Sequence, residues 1–494
     1  MTRAGLIALL LALAALAPAQ AWAGTVRVTS DAELSAALAA AKPGDVIQLA
    51  PAAYAAVTIA GRGGPGGDLT LQGEPGASIA GVTITGSQRI VISGLAVAPE
   101  AFISVATSSN VTFRGISVDG GAGGLGAAMD LAATATGVVI IDSTFLHCAS
   151  PYCIRTSAPD AVIQHNTFDA LDDTDAVHGF GGGIIRGNRM DHALPHGEGN
   201  HNDFIQIGAG GPWTIDANWF GVRTSGAASI WLDPINGGLI HDAVISNNIV
   251  TGHETGQYVG IFVGGDGTSA ELLPRNISVI NNTVISGLSN SLRFGQAYAT
   301  LPLEQRPLVV NNTGERLVGM CDRIRSGHNV FGFGQACSQT DAIGNPNLDA
   351  NGYPTAASTL LVNRADASVT LPLDFFGYAR AVGLPDIGAV EFGAGPAPAA
   401  PPAKTKARAR FLSLRVVRRA RTTTVRVRTS NATRFSVTAL VRGRVVATKL
   451  HAGSARSGVL LKLATPRRGP LVIRIRASGP GGDALRVLNR KAPP

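Results

Sequence analysis

The sequence predicts an all-β protein: a parallel β-helix solenoid with an N-terminal capping helix, followed by a small β-sandwich domain. The first observation is an asparagine that returns every 22 to 34 residues, each time after a short β-branched run. The second is a composition with 61 glycines and 5% aromatic residues, which suits thin coils. The third is a reversal of charge at a Pro/Ala-rich segment. The recurring sites are His165-Asn166, Gly187-Asn188, Ala217-Asn218, Asn247-Asn248, Asn281-Asn282 and Asn311-Asn312.

Each repeat therefore has the pattern strand, polar bend, strand. Stacked coils place each asparagine above the last at the strand spacing of about 4.8 Å. There we expect its amide to bond the bend backbone and the neighbouring coils, because asparagine carries donors and acceptors and tolerates left-handed geometry.

The first 23 residues have the pattern of a signal peptide. Met1 to Arg3 precede an apolar run, and Ala21-Trp22-Ala23 predicts cleavage near Ala23. We therefore expect a secreted, periplasmic or cell-surface protein. No later stretch is apolar and long enough for a membrane span, and we expect a monomer.

A short amphipathic helix is predicted at the start of the mature chain. Ser30 to Glu33 form a capping box, and Leu34, Ala37, Leu38 and Ala41 share one helical face. Such a helix can cover the open end of a solenoid, where apolar core and strand edges are otherwise exposed.

The segment 44–51 and Tyr54 resemble the entry segment of secreted β-helix proteins of the pectate-lyase-like superfamily. The resemblance extends from Val26 to Phe392 and implies a right-handed parallel β-helix with a capping helix. Near its end, Asp374, Gly377, Arg380 and the run 385–391 resemble a closing motif of such proteins. We interpret this motif as structural.

The four cysteines fit an exported protein. They form two pairs that are close in sequence, and neither spacing is typical of metal ligation, so we expect two local disulfides. The pairs are Cys148 with Cys153 and Cys321 with Cys337.

Charge divides the chain into a β-helix at 24–393, a linker at 394–403 and a basic module at 404–494. Residues 1–403 hold 18 Lys plus Arg against 32 Asp plus Glu, whereas 404–494 hold 23 against one. Runs that alternate apolar residues with Arg resemble an Ig-like or fibronectin-like sandwich. An acidic polysaccharide or cell-wall polymer is the expected partner, and no nucleic acid is expected in this compartment. Alternatively, the arginines of the basic module are only solvent-exposed surface residues and bind no partner.

Chemistry is predicted between residues 147 and 233, where six of the ten histidines lie. Aligned strands of successive coils place a row of polar and aromatic residues outward on one sheet, as the floor of a groove. Such a row suits a linear sugar polymer. It contains Asp130, Arg155, His178, Gln206, Trp231, Asp233, Phe262 and Arg293, of which Gln206, Trp231, Asp233 and Arg293 are the predicted substrate-binding residues.

The favoured function is a lyase that cleaves an acidic, uronate-containing polysaccharide by β-elimination. That reaction needs a base and a positive group or metal at the uronate carboxylate. A lysine base is disfavoured because Lys42, near the cap, is the only lysine of the β-helix. The catalytic candidates are Asp175, His178, His201, Asp203, Arg155 and Arg223, and the candidate Ca²⁺ ligands are Asp172, Asp173 and Glu198.

Two other functions stay open. Asp175 and Asp203, at neighbouring strand starts, could act as the acid and base of a glycoside hydrolase. Alternatively, the protein is a glycan-binding or structural β-helix without catalysis, because Asp at strand starts often satisfies backbone groups. For an enzyme, we expect Asp203 and His178 to lie outside the core, so that alanine abolishes turnover and leaves unfolding nearly unchanged.

Overall fold

The protein was analysed as a computed structural model. It describes residues 24–120, 127–148, 151–172, 174–194, 203–221, 228–251, 259–285, 290–380, 383–394, 410–419, 422–430, 434–441, 444–452, 459–464, 471–479 and 482–490. The side chains of Glu100, Asp172, Leu194 and most residues after 409 lie outside that description. The chain divides into two compact units, 1–395 and 396–494. The predicted signal peptide is outside the described residues.

The first unit is a right-handed parallel β-helix, as predicted, with three parallel sheets around one core. Each regular coil gives one strand to each sheet. Sheet I has thirteen strands: Thr25–Val28, Val46–Leu49, Leu69–Gly73, Gln88–Ser93, Ser109–Arg114, Val139–Ile141, Ala161–Gln164, Gly183–Arg186, Trp213–Asp216, His241–Ser246, Arg275–Ile280, Leu308–Val310 and Arg325–Gly327.

The other two sheets share the strands Ser78–Thr85 and Ala96–Ala106, which run through both. Sheet II continues with Ala53–Tyr54, Ser117–Asp119, Thr144–Leu146, Thr167–Asp172, Arg189–Leu194, Trp219–Phe220, Ile249–Thr251, Thr283–Ile285, Thr313–Leu317, Val330–Gly334 and Ala342–Ile343. Sheet III continues with Val57–Ala60, Ala127–Leu131, Tyr152–Thr156, Asp175–Gly179, Ile205–Ile207, Ala228–Leu232, Val259–Val263 and Leu292–Phe294. Two 3₁₀ turns, Gln296–Thr300 and Leu303–Gln305, follow sheet III.

The asparagine ladder lies at the bend between sheets I and II. In the coils from Asn166 to Asn312 the amide Nδ2 donates to the asparagine Oδ1 of the next coil and to a sheet I carbonyl, as Asn248 does to Asn282 and to Ile215. The ladder asparagines are buried, so these bonds replace water. One detail differs from the prediction. The left-handed residue is the one before the ladder asparagine, for example His165 at φ 54° and Asn247 at φ 53°.

The predicted capping helix spans Asp31–Ala40. Ser30 accepts the N–H of Glu33, and Glu33 accepts the N–H of Thr29, so the capping box closes one residue earlier than the usual form. Leu34 and Leu38 are buried against the first coil. The helix therefore covers the apolar end of the solenoid.

The closing segment, residues 361–394, packs along the asparagine bends. Arg380 is buried and donates to the carbonyls of Gly388 and Ala389 and to Oδ1 of Asn247. Its Nη1 lies 3.7 Å from Oε2 of Glu391, whose side chain is 1% exposed. The segment also bonds to the bends directly, since the Gly388 N–H donates to the Asn311 carbonyl and the Ala389 N–H donates to Oγ1 of Thr283, which fits the structural interpretation.

Both predicted disulfides are confirmed. Cys148 is bonded to Cys153 with Cα atoms 5.5 Å apart, and Cys321 is bonded to Cys337. Disulfides persist in oxidising compartments, which agrees with export. No helix in the described part of the chain combines the length and the apolarity that a bilayer crossing requires.

The second unit is an antiparallel β-sandwich, as predicted. One sheet has three strands, Arg410–Arg419, Thr422–Ser430 and Val459–Ala464. The other has four, Arg434–Val441, Arg444–Ala452, Leu471–Gly479 and Gly482–Arg490. Its interior includes the fully buried residues Val425, Val437, Leu463, Ile473 and Ile475.

Candidate functional site on the outer face of sheet III

A row of side chains follows the outer face of sheet III, in the register that the sequence predicts. Each member is the Cα partner of the next across neighbouring strands. The exposure differs from the prediction, because His178, Gln206 and Phe262 are 2%, 8% and 6% exposed, whereas the rest are partly exposed. We call this set the sheet III row: Asp130, Arg155, His178, Gln206, Trp231, Phe262 and Arg293.

The row begins with an ion pair. Nε of Arg155 lies 2.7 Å from Oδ1 of Asp130, and the two side chains are 32% and 15% exposed. The hydrogen bond to Asp130 raises the pKa of Arg155. The terminal nitrogens of Arg155 form no hydrogen bond to any described residue. The hydrogen bond from Nε to Asp130 thus fixes the guanidinium, and its two terminal nitrogens can donate to a carboxylate.

His178 is held by an acid and two aromatic rings. Its Nδ1 lies 2.9 Å from Oδ2 of Asp175. Its ring centroid lies 4.2 Å from that of Tyr152 and 4.7 Å from that of Phe180. A carboxylate at Nδ1 fixes the tautomer and the orientation of an imidazole, which is how a general base is usually positioned.

Tyr152 is a candidate that the sequence analysis missed. It is the register partner of Asp175, and its side chain is partly exposed. Burial raises the pKa of the Tyr152 phenol, and the Asp175 carboxylate adds to that shift while Arg155 opposes it. The sequence did hold a signal for Tyr152, because it occupies the strand start one coil before Asp175.

Asp175 and Asp203 do lie at neighbouring strand starts, as predicted, but both carboxylates bind backbone. Oδ1 of Asp175 accepts the N–H of Asp203 at 2.9 Å, and Oδ1 of Asp203 accepts the N–H of Ala228 at 2.6 Å. The sequence predicts Asp203 and His178 outside the core. His178 does lie on the outer face of sheet III, but the two residues are 0% and 2% exposed, so neither is a surface residue. The reason is that each aspartate caps the next coil.

Three of the four predicted substrate-binding residues line one groove, with a volume of about 350 Å³. The Trp231 and Phe262 rings are 5.2 Å apart, and the Arg293 guanidinium lies 5.1 Å from the Phe262 ring and pairs with Asp266. Oδ1 of Asp233 accepts hydrogen bonds from the Gly265 N–H and from Oγ1 of Thr268. These bonds tie Asp233 to two other residues that line the groove. Gln206 is beside Trp231 in the row but does not line the groove.

The predicted histidine cluster is divided among different faces. His147 pairs with Asp119 and His192 with Asp169 at the end of sheet II, each reaching back one coil. His165 is the left-handed residue of an asparagine bend. Among the described histidines of that window, His178 alone belongs to the sheet III row.

His201, Arg223, Asp173 and Glu198 lie outside the described residues, as does the side chain of Asp172. Within the described part of the chain, no group of three or more His, Cys, Asp or Glu is arranged to hold a metal ion.

Neither a protein-family model nor a curated protein matches this sequence. Among solved structures, an alginate lyase from Paenibacillus sp. str. FPU-7 is similar at 14% identity and a TM-score of 0.40, over 56% of this chain and 98% of that one. The PL6 family alginate lyase AlyGC is 12% identical with a TM-score of 0.36, over 71% and 59% of the two chains. A pectate lyase variant from Xanthomonas campestris is 13% identical with a TM-score of 0.30, over 55% and 80%. Likenesses at this level do not transfer an activity.

Proposed function

We propose that the outer face of sheet III binds an acidic polysaccharide and cleaves it by β-elimination. The observation that carries this proposal is the in-register row, in which cationic, imidazole, amide and aromatic side chains follow one another from coil to coil. Six strand steps separate Asp130 from Arg293, a distance of about 29 Å at the usual strand spacing. A linear polymer that lies along the β-helix axis passes each of these positions in turn, and the partly exposed members of the row are Asp130, Arg155, Trp231 and Arg293.

The two ends of the row offer different interactions. Trp231 and Phe262 give apolar ring faces in the groove, and sugar rings pack well on such faces. Arg155 gives a cation whose terminal nitrogens are open to a uronate carboxylate. We therefore place the reaction near Arg155 and His178, and longer-range binding at the groove.

The chemistry follows from these positions. Arg155 neutralises the uronate carboxylate, which acidifies the proton on the adjacent ring carbon. His178, oriented by Asp175, accepts that proton. The electron pair of the broken C–H bond forms the ring double bond, and the glycosidic C–O bond breaks. The Tyr152 phenol donates a proton to the leaving oxygen, so that the products are an unsaturated uronate and a free hydroxyl.

Calcium is a separate part of the proposal. It depends on the chemistry of Asp172, Asp173 and Glu198, whose carboxylates are the hard oxygen ligands that Ca²⁺ prefers. Bound there, the ion would supply additional positive charge for the substrate carboxylate.

A second candidate function is glycan binding without catalysis. The observation that favours it is the backbone capping by Asp175 and Asp203, because both carboxylates already serve the fold. The same observation weighs against a hydrolase that uses these two aspartates as acid and base, since each would need to face the substrate.

The test is the ultraviolet absorbance of the unsaturated product, measured on a panel of uronate polymers with Ca²⁺ and with chelator. Wild type is compared with Arg155→Gln and with the control Arg27→Gln, whose Nε is also 2.7 Å from a carboxylate but on sheet I. We expect loss of the signal in Arg155→Gln alone. A flat trace for wild type on every polymer, with retained polymer binding, would replace the lyase by the glycan-binding function. Calcium is supported if chelator removes the signal.

A further inference from the structure

We propose that the outer face of the three-stranded sheet in the second unit is a binding surface for a carboxylated polysaccharide. The surface is defined by strand register, because alternate residues of a strand belong to opposite faces. Val425 and Leu463 are buried in the sandwich, whereas Arg426 and Lys462, one residue away, are exposed. The positions that share the face of Arg426 are therefore the outer ones.

The register places five basic residues on this outer face, which we call the basic face. Arg415 is directly opposite Arg426, and Arg428 is two positions further along the same strand. Arg419 is opposite the exposed Thr422, and Lys462 is opposite Thr424. The one acidic residue after position 403, Asp483, belongs to the other sheet.

Such a face is unfavourable for the isolated fold. Like charges in directly opposed cross-strand positions destabilise a sheet, and the backbone register sets the positions of Arg415 and Arg426 opposite each other. An acidic residue at any neighbouring position would offset the repulsion, but the register gives the outer face none. A polyanion that lies across the strands supplies that negative charge from outside.

The chemistry favours carboxylates on a polysaccharide. Four of the five residues are arginines, whose planar guanidinium binds a carboxylate through two parallel hydrogen bonds. The two disulfides fit an oxidising compartment, so we take an exported polysaccharide rather than a nucleic acid as the polyanion. The choice of a uronate polymer as the ligand rests on the proposed function. The basic face is derived from the strand register alone and does not depend on that function.

A second site on the same chain changes how a long polymer is held. Once one unit has bound, the other meets the polymer at a high effective concentration, so the affinity for long chains exceeds that for short ones. An oligosaccharide too short to reach both units gains nothing from the basic face. Polymer length therefore separates this inference from the chemistry at sheet III.

The test compares two triple variants of the full mature chain. Arg415→Gln, Arg426→Gln and Arg428→Gln remove three charges from the basic face. The matched control removes three charges from the outer face of the four-stranded sheet of the same unit, where the neighbouring Ile473 and Ile475 are buried: Arg434→Gln, Arg474→Gln and Arg476→Gln. The dissociation constant for an immobilised polyuronate is measured at low and high salt, and thermal unfolding checks that both variants fold.

We expect the basic-face variant to bind the polyuronate about tenfold more weakly and with a weaker salt dependence, and the control to stay near wild type. Equal losses in both variants would mean that net charge alone acts, and tighter binding to duplex DNA than to polyuronate would assign a different partner; either result overturns the inference. Turnover of short oligosaccharides should be unchanged in the basic-face variant. If no polymer is cleaved but the variant still loses binding, the proposed function fails and this inference stands.

Discussion

Nδ1 of His178 lies 2.9 Å from Oδ2 of Asp175, and both side chains are almost fully buried. The other oxygen of the same carboxylate accepts the N–H of Asp203. One aspartate therefore joins two successive coils and orients the imidazole of the sheet III row. The catalytic role that we propose for Asp175 and its structural role thus meet in one side chain, and substitutions can separate them.

Asp175→Asn keeps a side-chain oxygen for the Asp203 N–H but removes the negative charge beside His178. In the proposed lyase we expect turnover to fall by about 100-fold or more, because general bases contribute on that order. The free energy of unfolding should fall by less in Asp175→Asn than in Asp175→Ala, because alanine leaves the buried Asp203 N–H without an acceptor. Steady-state rates and thermal unfolding of the two variants check this. Unchanged turnover in Asp175→Asn would remove Asp175 from the mechanism.

Tyr152→Phe removes only the phenol hydroxyl and keeps the ring contact with His178. We expect a loss in the turnover number of about 100-fold with little change in KM, since proton donation acts in the transition state. The control is Tyr353→Phe, because burial also raises the pKa of the Tyr353 phenol but its ring lies against Phe376. Equal activities in the two variants would show that the Tyr152 hydroxyl has no part in the reaction.

Asp203 tests the structural interpretation. Its carboxylate accepts the Ala228 N–H at 2.6 Å in a fully buried setting, so Asp203→Ala should lower the free energy of unfolding by about 1–3 kcal/mol. Asp203→Asn keeps an acceptor and should retain most of the stability and the activity. Thermal unfolding and turnover of the pair are measured together. Loss of turnover in Asp203→Asn at wild-type stability would instead make Asp203 a catalytic residue.

Much of this architecture can be predicted from the sequence because a solenoid repeats. The asparagine period defines the coils, and period-two alternation then predicts the whole sheet III row, from Asp130 to Arg293, in its observed register. Burial could not be predicted in the same way. His178 alternates outward like Arg155, yet it is buried by rings and an acid that come from other segments. The role of Asp203 was ambiguous because a strand-start aspartate suits a cap and a catalytic acid equally.

The asparagine ladder should contribute strongly to stability. Asn248 donates to Ile215 and Asn282 and accepts from Asn218, all within buried surroundings. Asn248→Ala leaves several buried groups unbonded, so we expect a loss of about 3 kcal/mol or more in the free energy of unfolding. Asn290→Ala is the control, because its hydrogen bonds to Val318 are exposed to solvent. Equal losses in chemical denaturation would show that burial of the ladder adds nothing.

Glu391 predicts a pH dependence of the β-helix unit. Burial raises the pKa of Glu391 from 4.5 to about 7 in the folded chain, although Arg380 opposes the shift. Between these values the folded state holds a proton that the unfolded state releases. The contribution of Glu391 to stability is therefore complete below the unfolded pKa and is lost as the pH rises through about 7.

Glu391→Gln removes this titration while keeping an oxygen for the Asp386 N–H. Relative to the variant, wild type should lose about 3 kcal/mol of unfolding free energy between pH 4 and pH 8, since one pKa unit corresponds to about 1.4 kcal/mol. Glu304→Gln, at an exposed glutamate, controls for the loss of one acidic charge. The measurement is a set of denaturation curves across that pH range. If the unfolding free energies of wild type and Glu391→Gln changed in parallel with pH, the Glu391 carboxylate would be ionised in the folded state. Its pairing with Arg380 would then be stronger than the cost of its desolvation.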